Sequence, residues 1–177
     1  MLKNMIIQLK GDFSRYGDNG LTMLSYTRFL LLFFRGAQNS LVFVRIPFKY
    51  LFNWLAKRHG IEISPSTKIG KGFYIGHPYN ITINPNAIIG DNVNIHRGVL
   101  IGQENRGDRK GTPIIGSEVW IGVNAVIVGK VNIGDNVLIA PNSYVNCDVP
   151  SNSVVFGNPC QIKHSKSATA YYVNNKV

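Results

Sequence analysis

"IIGDNVNIHRGVLIG", residues 88–102, decides how this chain folds. Ile89, Ile95 and Ile101 stand six residues apart, and Val93 and Val99 each lie two places before the next isoleucine. A period of six fits neither a 3.6-residue helical turn nor the longer strands of an ordinary meander. It fits very short strands, each followed by a turn. Side chains alternate along a strand, so residues two apart share a face, and both apolar positions of a unit point into one core. Between them lie Gly90, Asp91 and Asn92, residue types that tolerate turn geometry.

Outward from this stretch the pattern holds. An aliphatic residue recurs at 63, 69, 75, 83, 89, 95, 101, 115, 121, 127, 133, 139 and 145, isoleucine at all but the last, which is Val145. A small or β-branched residue follows four places later in most units, from Thr67 to Val149. A chain that turns after every short strand winds into a β-solenoid, whose rungs stack at about 4.8 Å and pair their backbone groups with the rungs above and below. The count gives thirteen such units. Two steps break the period. Between 75 and 83 two residues are added, around "YIGHPYN" (74–80), and between 101 and 115 eight are added, within "QENRGDRKGTP" (103–113). A purely structural solenoid needs neither insertion, and loops extruded from repeat scaffolds often carry function.

Composition bounds the rest. The chain has 177 residues, 45% hydrophobic and 16% charged, as in a folded protein of one domain with an appended element. Cys147 and Cys160 form neither a disulfide framework nor a CxxC metal pair, so a reduced, cytoplasmic setting is expected. The net charge of +10 sits at the ends. Residues 1–60 carry nine Lys/Arg against Asp12 and Asp18, whereas residues 61–160 carry seven bases and seven acids. No nucleic-acid-binding signature accompanies the excess, and no nucleic-acid partner is expected. Residues 21–58 are apolar but broken by Arg28, Arg35, Arg45 and Lys49, with no run of the roughly 18–20 residues that a spanning helix needs. Helices packed on the body are expected there, with peripheral contact at the inner face of the cytoplasmic membrane as the sharper reading.

The units "IIGDNV" (88–93), "WIGVNA" (120–125) and "NIGDNV" (132–137) resemble those of the hexapeptide-repeat acyltransferases. The order of "GIEISPSTKIGKGFYIGH" (60–77), "VNIHRGVLIG" (93–102), "GDRKGTP" (107–113) and "VVFGNPCQIK" (154–163) is similar to that of serine acetyltransferases. "SRYGDNGLTMLSYTRF" (14–29) resembles the last part of that family's helical domain. The resemblance implies a mainly β fold, a left-handed parallel β-helix with a short α-helical N-terminal segment. It divides the chain into a helical segment (1–60), a β-helix domain (61–163) with an extruded loop (103–113), and a tail (164–177). It also implies acetyl-CoA as acyl donor, no metal, a homotrimer with sites between subunits, and a hydroxyl acceptor.

On this resemblance His77 matches the catalytic histidine, a base able to take a proton from an attacking hydroxyl. Glu62 stands where an aspartate orients that histidine. Gly102, Val123 and Pro141 match positions that hold the pantetheine arm, and Lys163 is placed to meet CoA phosphates. The substrate positions are Gly76, Asp108, Arg109 and Lys110, with Asp12 a gap-dependent further candidate. Two of these depart from the family: Gly76 replaces the aspartate that contacts the serine amino group, and Lys110 replaces a histidine near the serine carboxylate. The departures favour a sugar hydroxyl of a surface polysaccharide as acceptor. L-serine, in cysteine biosynthesis, is the alternative, and a non-catalytic assembly module the second. His96 invites a zinc reading, but a three-histidine site lacks its third member on the prism.

Overall fold

Each Ile-centred unit forms one side of a triangular coil. The computed structural model describes residues 2–17, 23–39 and 41–177; residues 18–22, inside the helical stretch matched above, and residue 40 lie outside the described residues. One face of the prism, sheet A, stacks β1 (Ile61–Ile63), β4 (Ile81–Ile83), β7 (Leu100–Gly102), β10 (Val126–Val128) and β13 (Tyr144–Val145). Sheet B stacks β2 (Lys68–Ile69), β5 (Ile88–Ile89), β8 (Ile114–Ile115) and β11 (Asn132–Ile133). Sheet C stacks β3 (Tyr74–Gly76), β6 (Asn94–His96), β9 (Trp120–Ile121), β12 (Val137–Ile139) and β14 (Ser153–Phe156), and β15 (Gln161–His164) pairs antiparallel with β14 at its edge. The other ladders are parallel and bring like residues into register, as in Ile83 opposite Ile101 and Ile95 opposite Ile121. Ile81, Ile95, Ile101, Ile121, Ile127 and Ile139 are fully buried in the column. Each such side chain stabilises the fold by about 1.5–3 kcal/mol relative to exposure.

The five strands of sheet A end at Val145, the last position of the six-residue count, and the coil continues beyond it. The step after Val145 is four residues, two short of the period, yet Val149 bridges to Ile133 and Val155 pairs with Ile139, both buried. Burial, not spacing, continues the last turn.

The "IGDNV" corners explain their own composition. Asn92, Asn124, Asn136, Asn142 and Asn152 adopt φ of 56°, 57°, 52°, 59° and 59°, the left-handed region that asparagine enters more readily than most side-chain-bearing residues. At the corner between sheets B and C, Asp91 Oδ1 accepts the Lys71 N–H at 2.9 Å and Ser117 Oγ accepts the Asp91 N–H at 3.1 Å. Above them Asp135 Oδ1 accepts from Ser117 N at 2.6 Å, and Ser151 Oγ from Asp135 N at 2.9 Å. Each short side chain thus satisfies the turn amide of a neighbouring rung.

Three helices precede the coil: α1 (Leu2–Ser14), α2 (Met23–Ala37) and α3 (Val42–Lys57). They close its first rung, whose carbonyls would otherwise face outward unpaired. Arg35, fully buried, forms a two-pronged pair with Asp12 at 2.8 and 3.1 Å and donates to the carbonyls of Ile69 and Gly70. Asp12 Oδ1 also accepts the Phe73 N–H at 2.9 Å, and Tyr16 Oη accepts that of Ile75 at 2.9 Å. Asp12 is therefore a clamp between helices and coil, and its carboxylate is committed there, away from any substrate. After β15 the chain runs back down sheet C. The Asn136 amide donates to the Lys166 carbonyl, the Asn94 amide to that of Tyr172, and the Asn92 amide to that of Val177.

Breaking a buried ion pair leaves one charge uncompensated and typically costs about 3–5 kcal/mol. Arg35→Met is expected to destabilise the protein by about that much in equilibrium urea unfolding, and Asp12→Leu in the same chain to restore a large part of the loss. A change below about 1 kcal/mol for Arg35→Met would contradict the clamp.

Candidate active site

His77 lies at the corner between β3 and β4, where the period gains its two residues. Its φ is +56°, in the region that most of the other corners fill with asparagine. A histidine carries a Cβ into that conformation at some cost, and such strain is often kept where a side chain must be presented. The imidazole is exposed. The corner is held beneath it: His77 O accepts the Tyr79 N–H at 2.8 Å, and Asn80 N donates to His59 O at 2.8 Å. The His59 ring in turn packs between Tyr26 and Tyr79, at centroid distances of 3.9 and 4.8 Å.

Glu62 points outward from β1 and is exposed. The structure does not join it to His77: among the described residues no hydrogen bond links the two side chains. Glu62 instead lines a groove of about 550 Å³ between α3 and the outer face of sheet A, with Asn53, Lys57, Thr82, Leu100 and Gly102 among its other walls. Outward-facing Glu62, Thr82, Leu100, Val126 and Tyr144 are successive register partners along this face.

The proposed cofactor residues separate within one chain. Gly102 ends β7, at the corner from sheet A to sheet B. Val123 and Pro141 follow β9 and β12, at the same kind of corner as His77. The carbonyl of Val123 already accepts the Asn142 N–H at 2.9 Å, and Pro141 has no amide hydrogen to give. Lys163 is exposed on β15, opposite Val154 at the sheet C edge and outside the groove. The loop 103–113 is pinched at its base by Glu104 and Gly111, which exchange backbone hydrogen bonds at 3.0 Å. Asp108, Arg109 and Lys110 are exposed at its tip. This loop leaves the A-to-B corner, whereas His77 sits at the C-to-A corner. One chain alone does not bring these groups together across the width of sheet A.

Gly76 is buried, and its neighbourhood is informative. A Cβ added there would fall 2.7 Å from His96 Cδ2 and 2.8 Å from His96 Nε2. The space of the expected aspartate side chain is taken by a histidine from the next rung, paired in register with Gly76. Sequence reasoning considered His96 only as a zinc ligand; the signal for this role is its offset of one rung from Gly76, readable only once the register is known. Among the described residues no three His, Cys, Asp or Glu side chains gather as a metal site. Cys147 and Cys160 face each other at 3.6 Å as free thiols, and burial pushes the Cys147 thiol up. No helix of the described residues is long and apolar enough to cross a membrane.

Comparison with known proteins narrows the class. Residues 112–147 match the family described as bacterial transferase hexapeptide (six repeats). The serine acetyltransferase of Staphylococcus aureus is 43% identical over 103 residues, covering 58% of this chain and 48% of that protein. That of Helicobacter pylori is 37% identical over 99 residues, covering 56% and 58%. The chain thus spans about half the length of the curated relatives it matches. Among solved structures, the soybean serine acetyltransferase apoenzyme superposes with a TM-score of 0.73 at 26% identity, over 91% of this chain and 69% of that one. The Neisseria gonorrhoeae enzyme in complex with serine gives 0.71 at 25%, over 91% and 69%. By repeat, register and fold, the chain is similar to the hexapeptide-repeat, β-solenoid transferases. Within that class it is similar to serine acetyltransferases.

Proposed function

We propose that the chain is an acetyl-CoA-dependent O-acetyltransferase, and the observation that carries the reading is His77, exposed in a left-handed backbone at the interrupted corner. In this reading a neutral His77 imidazole takes the proton of an acceptor hydroxyl as the oxygen attacks the thioester carbonyl. The tetrahedral intermediate collapses, the C–S bond breaks, and the imidazolium returns its proton to the leaving thiolate. Glu62, on the neighbouring groove, steadies the imidazolium electrostatically across the site. A homotrimer accounts for the split constellation: the loop of one copy meets the His77 corner of the next, and CoA lies in the groove between them with its phosphates near Lys163. The half-exposed apolar residue Leu100 on the open face of sheet A supports such packing.

For the acceptor, the similarity supports L-serine: the relatives and solved structures named above are serine acetyltransferases, which backs the alternative reading better than the surface polysaccharide one. One observation of this chain sustains a sugar hydroxyl as a second reading. Gly76 offers no carboxylate for an amino group, and His96 occupies the space where one would sit. The two readings part in a thiol-release assay with acetyl-CoA, comparing L-serine with methyl glycosides of glucose, galactose and N-acetylglucosamine. Release with at least one acceptor class is expected. Release with none of them, at millimolar concentrations, would sink the transferase reading.

The helical segment adds a surface to this reading. Phe43, Tyr50 and Trp54 on α3 are 94%, 74% and 55% exposed, and Val42, Ile46 and Leu51 are exposed beside them. Between them stand exposed Arg45, Lys49, Lys57 and Arg58, and α3 contains no acidic residue. Aromatic and basic groups interleaved in this way suit an anionic lipid surface, whereas a second copy of the same face would bring like charges together. Co-sedimentation with vesicles of phosphatidylcholine containing about a third phosphatidylserine is expected, falling at least tenfold for Phe43→Ser/Trp54→Ser and in neutral vesicles. Equal sedimentation with neutral vesicles, or none with either, would contradict the lipid surface.

A further inference from the structure

On the outer face of sheet C, His96 lies beside the corner that carries His77, and its chemistry is fixed by its neighbours. Nδ1 sits 3.0 Å from the Ile121 carbonyl oxygen, which can only accept, so Nδ1 carries the ring hydrogen. In the neutral ring Nε2 is then a lone-pair acceptor, and among the described residues it has no hydrogen-bond partner. The ring is held against Trp120 at a centroid distance of 4.8 Å, with Tyr74 on its other side at 6.4 Å. Burial holds its pKa below the usual histidine value, partly offset by the Ile121 hydrogen bond, and the proximity of His77 lowers it further. Nε2 leans over Gly76, the residue immediately before His77.

We infer that His96 is the acceptor-selecting residue of the site: its Nε2 receives a hydrogen bond from a second hydroxyl of a neutral, polyhydroxylated acceptor whose first hydroxyl faces His77. The inference rests on the O-acetyltransferase reading and sharpens its second acceptor class. A vicinal hydroxyl supplies the donor that Nε2 lacks, and the half-buried rings of Tyr74 and Trp120 beside it, which also pack on Tyr16 and Tyr172, leave an aromatic edge suited to the apolar C–H face of a sugar ring. An ammonium group could also donate to Nε2. Its charge would meet no carboxylate there, because Gly76 has no side chain, the rings packed against His96 are uncharged, and the next residue is the exposed cation Arg97. Leaving a charge uncompensated in a half-buried site is costly. A site built to hydrogen-bond a hydroxyl also rejects analogues that cannot fill it, in favourable cases by about 10⁴-fold. Gly76 and His96 act as a pair: no side chain fits at 76 while His96 keeps its place.

The experiment uses the full chain with Trp54→Phe, which leaves Trp120, packed on His96, as the one tryptophan. Its fluorescence is titrated with the three methyl glycosides and with L-serine, and thiol release from acetyl-CoA is followed with the same acceptors. At least one glycoside is expected to change Trp120 fluorescence saturably, at lower concentration than serine. His96→Leu, which keeps bulk and removes the lone pair, is expected to raise that glycoside's dissociation constant and KM tenfold or more while the KM for acetyl-CoA moves less than twofold. His96→Gln, which restores an acceptor oxygen, is expected to recover part of the affinity. Serine binding as tightly as every glycoside, no saturable glycoside response, or no effect of His96→Leu would overturn the assignment. Failure of the transferase reading looks different: thiol release would be missing with all acceptors while the fluorescence response persisted.

Discussion

Parallel stacking of six-residue units is the constraint on which the molecule depends. Each rung must offer the one above it an aliphatic residue at the same place, because the core is a single column only a few side chains wide. Ile83, Ile101 and Ile127 follow one another in register along sheet A, and Ile75, Ile95 and Ile121 along sheet C. A one-residue slip would turn this column outward. Everything irregular must therefore be placed at corners, and the two insertions are found there, around His77 and at residues 103–113.

The same constraint explains how the chain starts. A solenoid has open ends, and the first rung would leave buried carbonyls unpaired. Arg35 satisfies those of Ile69 and Gly70 and Arg15 that of Gly72, while Asp12 balances the Arg35 charge. The helices are thus bound to the coil by charged groups buried beneath them, and α3 keeps an apolar and basic side for other use.

The repeat was legible in the sequence because the period acts at every unit and each hit adds to the last. The final part-turn was not, since the step from Val145 to Val149 drops to four residues while Val149 and Val155 keep their burial. The placing of the proposed site residues was legible in part. His77 could be read from the break in the period. Its relation to Glu62 could not, because the spacing does not say how the lengthened corner before β4 carries His77 relative to the outer face of sheet A, where Glu62 stands. Nor could the place of His96 over Gly76, which depends on which residues face each other across rungs. Gly76 shows the gap most clearly: the sequence registers a missing acid, whereas the structure shows that its volume is filled from the rung above.

These features turn on a single proton. If the interrupted corner exists to present a base, removing the base without disturbing the corner must stop the reaction. His77→Asn is the suitable change, because asparagine adopts the same left-handed backbone at the other corners. The direct measurement is the rate of thiol release from acetyl-CoA by wild type and His77→Asn, with the acceptor that gives the fastest release and with unfolding temperatures compared in parallel. A loss of about a hundredfold or more at unchanged stability is predicted for a general base. An equal rate in the two proteins would contradict the account.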